Sequence, residues 1–371
     1  MSKRENTTYV GLDVHKKSIN VAVILPGSIS PDEEWQIANT LPSLKKMAKK
    51  VKRLAPGSAL AAYEAGPCGY TPQRLLEDLG IDCQVVAPSM IPIKPGERVK
   101  TDRRDARKIA VYLRNGELTE VHPPTPEEEA VRDLTRARED IKQDQQRARH
   151  RLTKMLDRYG IRYTGGNHWT IRHREWLNRI RFGEGIAQQV FEGYLLTVEQ
   201  ADERLSRIEE HLEEVARSER YAEHVGWLRC LRGIDTVTAM TILAELYDFR
   251  RFRSPRQLMA FLGLTPGEHT SGSRVRRGPI TKAGNSHVRK LLVEAAWNYR
   301  HRPSVSKYMK KRRDGQPAAV IAIADRAQER LHRKYFKLKE GYKKPHNVVT
   351  VAIARELVGF IWAVMNHGEV A

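Results

Sequence analysis

Tyr9-Val10-Gly11-Leu12-Asp13-Val14 is an apolar run with the length and β-branched character of a strand, and an aspartate stands next to its end. A second apolar run, Ile19 to Leu25, follows closely, so the two read as a hairpin with the acid near its open end. Another short apolar segment, Ala59 to Tyr63, is closed by Glu64 and broken at once by Ala65-Gly66-Pro67. That places a second acid at a strand tip. Further on, Asp102 and Asp105 open a helical stretch that runs to Leu113, and their spacing of three puts both on one helix face.

Two strand tips and one helix face can bring Asp13, Glu64, Asp102 and Asp105 to one point. Such a set suits Mg²⁺, with Mn²⁺ as a substitute, because a hard ion takes a few carboxylates plus substrate phosphate. Two such ions about 4 Å apart activate the attacking oxygen and steady the leaving one in phosphodiester chemistry. Taken singly, each acid has a plainer reading: an aspartate at a strand end forms turns, and Asp102 alone suits a helix N-cap. Arg103, Arg104 and Arg107 beside them could pair with these acids or hold nucleic-acid phosphates.

Composition points to a polyanionic partner. With 65 Lys and Arg against 45 Asp and Glu in 371 residues, the formal net charge is +20. No apolar stretch approaches the roughly 20 residues of a membrane span, and Met1-Ser2-Lys3-Arg4-Glu5 lacks a signal peptide's apolar region. The expected location is therefore the cytosol, without a membrane partner. Cys68, Cys83 and Cys230 form no CxxC pair and read as reduced structural residues.

Residues 1–125 alternate short strands with amphipathic helices, a mixed α/β domain that ends at Pro123-Pro124-Thr125-Pro126. Residues 126–220 carry two long charged stretches with apolar residues at helical spacing, from Glu127 to about Tyr159 and from Ala187 to Ala216, joined through Gly165-Gly166. These predict an antiparallel helical pair that packs together or dimerises, and whose arginines Arg136, Arg138, Arg147, Arg149 and Arg151 could also meet nucleic acid. Residues 221–371 read as mostly helical. Leu231-Arg232-Gly233-Ile234-Asp235 looks like half of a helix-hairpin-helix, whose turn would offer N–H groups to a phosphate. The segment 262–278 holds four glycines, two serines and three arginines, which suits a mobile phosphate-binding loop, and Lys282, His287 and Arg289 lie near the start of the helix that follows.

Four stretches together, YVGLDVHKKS at 9–18, YEAGPCGY at 63–70, KTDRRDARKIA at 100–110 and LGLTPGEHTSGSRVRRGPITKAGNSHVRKLLVEAAW at 262–297, resemble the DEDD transposases of bacterial insertion sequences, the IS one-ten family, in order along nearly the whole chain. The resemblance implies an RNase H-like, RuvC-like N-terminal domain, a coiled-coil segment and a C-terminal transposase domain. It places the acidic tetrad on Asp13, Glu64, Asp102 and Asp105, and a serine nucleophile on Ser271. It further implies a structured bridge RNA as guide, donor and target DNA as substrates, and dimers assembling to tetramers. Ser273, two residues away, competes for the nucleophile's role. Arg103, Arg104, Arg274, Arg276, Arg277, Lys282, His287 and Arg289 are the expected nucleic-acid contacts. Two other functions fit the residues: a RuvC-like nuclease or junction resolvase in which water attacks, and a non-catalytic scaffold for nucleic acid.

Overall fold

In a computed structural model, the described residues are 6–88, 91, 102–183, 185–268 and 277–367, without the side chains of Asp102 and Arg277. The chain divides into two units, Met1–Pro124 and Thr125–Ala371.

In the first unit, β1 (Thr7–Val14), β2 (Ser18–Ile24) and β3 (Glu33–Ala38) form an antiparallel meander. The chain then passes through α1 (Leu41–Leu54) to β4 (Ser58–Glu64), which pairs parallel with β1, and through α2 (Thr71–Asp78) to β5 (Asp82–Val86), parallel with β4. Parallel neighbours need such crossovers, which is why a helix separates each pair. After α3 (Asp102–Asn115), the short β6 (Glu120–Val121) closes a six-stranded sheet of order β3-β2-β1-β4-β5-β6. The central β1 is buried on both faces, which accounts for its unbroken apolar run. Val10, Leu12, Ala61 and Tyr63 pack with Leu44, Met47, Val51 of α1 and Leu76 of α2. Tyr9, Ala22, Ile24 and Ala62 on the other face pack with Ala106, Ile109, Ala110 and Leu113 of α3.

The second unit opens with α4 (Pro126–Arg158), started by a capping box in which Thr125 and Glu128 satisfy each other's backbone N–H. Its partner is α6 (Gly185–Ala216). Val131 and Leu134 near the start of α4 share a core with Leu212 and Ala216 at the end of α6, whereas Leu152 and Met155 share a second core with Phe191 and Val198. The two helices therefore run antiparallel, as their spacing predicts. The link between them contains a further helix, α5 (Ile171–Arg179), capped by Thr170, which the sequence reading did not anticipate. The large core is built by α7 (Ala222–Arg229), α8 (Thr236–Leu246), α9 (Pro255–Phe261), α10 (Ser286–Ala296), α11 (Lys307–Arg313), α12 (Ala318–Phe336) and α13 (His346–Met365), with a small ladder of β7 (Pro266–Glu268) and β8 (Arg277–Ile280).

Three expectations change here. First, α13 is long and apolar enough to cross a membrane, contrary to the reading that no stretch is. Val349, Ile353, Leu357, Val358, Ile361 and Val364 are each at most 1% exposed against the helices around them, so its apolarity is that of a core helix. Second, the Gly233 turn is used internally. Gly233 has φ +84°, a Cβ there would lie 2.6 Å from the Ala295 carbonyl oxygen, and Asp235 already accepts the Thr238 N–H at 2.8 Å. Third, most of the α4 arginines are spoken for. Arg136 pairs with Glu245, Arg138 with Glu209, Arg147 with Asp144 and Arg149 with Asp202.

At the far end of the helical pair, buried His173 sits among Tyr163, His168, Trp169 and Trp176, with ring centroids 4.7–5.4 Å away. The Trp169 N–H donates to His173 Nδ1 at 3.2 Å, so the neutral ring is the form held. Burial, then the charges of His168 and Arg174, push its pKa down from 6.5 to about 4. An unfolded chain takes up this proton below its ordinary pKa, and the folded one resists until about 4. Stability contributed here is thus full above pH 6.5 and falls as pH drops toward 4. Urea titrations followed by tryptophan fluorescence are expected to show this loss, and His173→Gln to flatten it.

Candidate active site

The last paired step of β1 with β4 is Leu12↔Tyr63, so Asp13 and Glu64 come next in line at the same end of two parallel neighbours. Adjacent strands lie about 4.8 Å apart. Alternation puts Asp13 on the face of Tyr9 and Gly11, and Glu64 on the face of Ala62, which is the face that α3 covers. Asp13 is largely covered and accepts from His15, whose Nε2 lies 3.0 Å from Oδ2; Glu64 is exposed. The loop carrying His15 is held by Asn39, whose side chain donates to the His15 carbonyl at 2.8 Å. A cleft of about 650 Å³ opens beside these strand ends, lined in part by His15, Asn39, Pro67, Cys68 and Thr71.

The helix α3 reaches this face through Gly11. A Cβ at Gly11 would stand 2.1 Å from the Ala106 carbonyl oxygen and 2.4 Å from the Ala110 nitrogen, so the helix backbone rests directly on the strand. Asp102 begins the helix one turn ahead of Ala106, and half-buried Asp105 immediately precedes it. A second restraint fixes the helix's rotation. Glu34 of β3 accepts from Arg103 Nε at 2.5 Å and from Arg107 Nε at 2.6 Å, one turn apart on α3. The Arg107 guanidinium, with Arg103 adding to it, holds the Glu34 carboxyl below its ordinary range against the opposing effect of burial. Arg103 and Arg107 therefore bond an acid far away in sequence, 69 residues from Arg103.

The donors offered at this edge are carboxylate oxygens, the chemistry a hard divalent ion prefers. Asp13 and Glu64 on adjacent strand ends fit an ion held by two carboxylates and completed by water and phosphate. Among the described residues, no group of three His, Cys, Asp or Glu side chains is close enough to hold a metal by itself.

In the second unit, Ser271, Ser273, Arg274 and Arg276 lie outside the described residues, as does the side chain of Arg277. The base of their loop is described. β7 and β8 pair through Pro266↔Ile280 and Glu268↔Arg277, and below them Gly263 and Gly284 must be glycine, because each has positive φ and a Cβ at either would meet a backbone oxygen within 2.2 Å. Arg289 donates to the Leu262 and Ala283 carbonyls at 2.9 and 3.0 Å, bracing the two sides of the base. Lys282 is exposed at φ +55°, and half-buried His287 stands in the first turn of α10. Asn285 caps that helix and donates to Glu245 at 2.6 Å. Burial raises the Glu245 pKa, but the paired bonds from Arg136 at 2.7 and 3.1 Å and the Asn285 contact bring the net shift downward. The loop base is thereby tied to α4 through one buried carboxylate.

His15, Glu34 and Glu245 escaped the sequence reading. His15 had a local signal, standing two residues from Asp13 in a predicted turn. Glu34 and Glu245 had none, since their partners are 69 and 109 residues distant.

A family model described as a transposase, of the DEDD type from IS110 elements, matches residues 10–161, and a second, described as the transposase of the IS116/IS110/IS902 family, matches residues 227–310. A putative transposase of Sinorhizobium fredii is 40% identical over 366 residues, covering 97% of this chain and 89% of its own. The transposase for insertion sequence element IS1533 of Leptospira borgpetersenii is 37% identical over 345 residues, covering 91% and 98%. The transposase for insertion sequence element IS1111A of Coxiella burnetii is 25% identical over 334 residues. These matches show the family of the chain. The chain belongs to the IS110 family.

The Gly11 contact can be tested directly. Gly11→Ala is expected to destabilise the first unit by about 1–3 kcal/mol or more, the usual cost of forced overpacking, and to reduce DNA strand exchange beyond what the unfolded fraction explains. Urea denaturation alongside an activity assay on the folded protein measures both.

Proposed function

We propose that this transposase is an RNA-guided DNA recombinase that cleaves and rejoins the ends of its own insertion sequence. The observation that carries the reading is the placement of Asp13 and Glu64 at adjacent strand ends beneath α3, which begins with Asp102 and continues to Asp105. The mixed sheet, with β1 central between an antiparallel meander and two parallel strands, supports an RNase H-like, RuvC-like domain.

In this reading Asp13, Glu64, Asp102 and Asp105 hold Mg²⁺ or Mn²⁺, which when bound supplies positive charge to the phosphate oxygens. His15 orients the Asp13 carboxylate through its 3.0 Å contact. Ser271 provides the nucleophile. Its oxygen attacks the phosphodiester phosphorus and gives up its proton; the P–O bond to one deoxyribose breaks, and that oxygen leaves with a proton. The resulting phosphoserine link retains the bond energy, so a deoxyribose hydroxyl of a second strand can displace the serine and reseal the backbone without ATP. Arg274, Arg276, Arg277 and Lys282 neutralise the phosphate, and Arg104 and His287 add contacts to the backbone. Arg103 and Arg289 act by bracing α3 and the loop base. A structured bridge RNA pairs with donor and target DNA and reads their sequences, while the protein holds backbones by charge. Dimers assembling to tetramers, in the cytosol, handle the four strand ends.

The wild-type protein, given its element's DNA and the transcript of the adjoining non-coding segment, is expected to yield a DNA-linked peptide containing Ser271. Mass spectrometry of the trapped, digested reaction identifies it. Ser271→Ala, which removes one oxygen, should abolish the adduct with little change in stability, within about 0.5 kcal/mol; Asp13→Asn should abolish cleavage. Attachment at Ser273 would move the nucleophile, strand exchange by Ser271→Ala would leave only the metal-nuclease chemistry, and full activity after RNase treatment would defeat RNA guidance.

A further inference from the structure

Every residue of α8 from Thr238 to Leu246 is buried, and the one charge among them is Glu245. Its side chain is 3% exposed and accepts from two separate elements: Arg136 of α4 donates through Nε at 2.7 Å and Nη2 at 3.1 Å, and Asn285 donates through Nδ2 at 2.6 Å. A carboxylate in such a core loses hydration that its partners only offset, and a packed apolar side chain would hold the helices as well or better. What the carboxylate adds is direction, because the planar guanidinium fork fixes both distance and orientation between α4 and α8. Asn285 is gripped from its other side too, since its Oδ1 accepts the Val288 N–H at 3.0 Å as the cap of α10.

Asn285 follows closely on β8, the exit of the segment that carries Ser271. The residues between are bound at successive steps. The Thr281 N–H donates to the Thr265 carbonyl at 2.9 Å, the Lys282 N–H donates to the Gly263 carbonyl at 3.1 Å, and a Cβ at Gly284 would lie 1.9 Å from the Phe261 carbonyl oxygen. A shift of Asn285 is therefore passed on to β8. Two further contacts tie α4 to the same region: Arg132 donates to the Tyr247 hydroxyl at 3.0 Å, and Glu139 pairs with Lys290 of α10 at 2.6 Å. Arg132, Arg136 and Glu139 stand at positions that share one helix face. One face of α4 thus holds the end of α8 and the first turns of α10.

We propose that Glu245 is a positioning residue for strand exchange, setting where the segment that carries Ser271 leaves the fold relative to α4. The proposal rests on the reading of Ser271 as the nucleophile, and it assigns to Glu245 an effect on the chemical step rather than on DNA binding.

The test uses the full-length protein with its element's DNA and the transcript of the adjoining non-coding segment. It reads the single-turnover rates of DNA-linked protein and of recombinant product, and the DNA concentration giving half the maximal rate, each per folded molecule as measured by urea titration. Glu245→Gln places an amide among groups that only donate, and is expected to slow both rates about 100-fold while half-saturating DNA stays within about twofold. Asn285→Asp keeps the α10 cap but sets two carboxylates against each other, and is expected to slow them as well. The double variant Glu245→Gln with Asn285→Asp reverses the hydrogen bond at unchanged net charge, and is expected to be about tenfold faster than either single variant. Glu209→Gln, which breaks the Arg138 pair between α4 and α6, is the control and is expected to react at the wild-type rate per folded molecule. A wild-type rate in Glu245→Gln, a slowing accounted for by its unfolded fraction, weaker DNA binding without slower chemistry, or a double variant no faster than the single ones would overturn the proposal and leave the nucleophile reading intact. Strand exchange by the wild-type protein without an adduct at Ser271 would sink the nucleophile reading, and the proposal with it.

Discussion

A helix backbone can rest directly on a strand only where the strand offers no side chain, and Gly11 is that opening in the centre of the sheet. Through it α3 sits on β1, with Ala106 and Ala110 as the contact and the Glu34 carboxylate gripping Arg103 and Arg107 to set the helix's rotation. The proposed acidic site depends on this seat. If α3 stood off the sheet, Asp105 would be an ordinary surface acid, and Asp13 and Glu64 would be two strand-end residues with nothing above them.

The chain's large positive surplus is distributed with a clear division. Arginines near cores are neutralised locally: Glu34 serves two, Asp202 serves Arg149 and Arg174, and Glu245 holds Arg136 while also anchoring Asn285 at the start of α10. These pairs contribute to geometry more than to net stability, since desolvation offsets much of their attraction. Removing one partner is the costly event, because it strands the other. Arg151, Arg158, Arg162, Arg172 and Arg179, at the far end of the helical pair, are exposed and form no ion pair among the described residues. The net charge of the molecule is therefore a poor guide to which arginines meet a ligand.

Much of the first unit is legible in the sequence alone. Tyr9–Val14 and Ala59–Tyr63 announce strands by composition, Gly66-Pro67 marks the end of one, and the spacing of Asp102 and Asp105 marks a helix start. Asp13, Glu64, Asp102 and Asp105 stand out as candidates for that reason, and the alternation of buried residues across β1 and β4 puts Asp13 and Glu64 on one face of the sheet. What stayed illegible depends on distant partners: the clamp by Glu34, the Glu245 network, and the internal use of the α4 arginines. Composition alone does not resolve α13, whose apolar length suits a core helix and a membrane span equally. The strands β7 and β8 are too short for periodicity to register, and Asp235 serves as the N-cap of α8, accepting the Thr238 N–H.

The central claim is that the carboxylates at the ends of β1 and β4 form one metal site together with the start of α3. Diffraction from crystals grown with Mn²⁺, collected at a wavelength where manganese scatters anomalously, tests it most directly. The account predicts an anomalous peak within about 2.5 Å of oxygens from both Asp13 and Glu64, the reach of oxygen ligands to a divalent ion. A well-ordered edge with no peak, or manganese bound by neither residue, would contradict it.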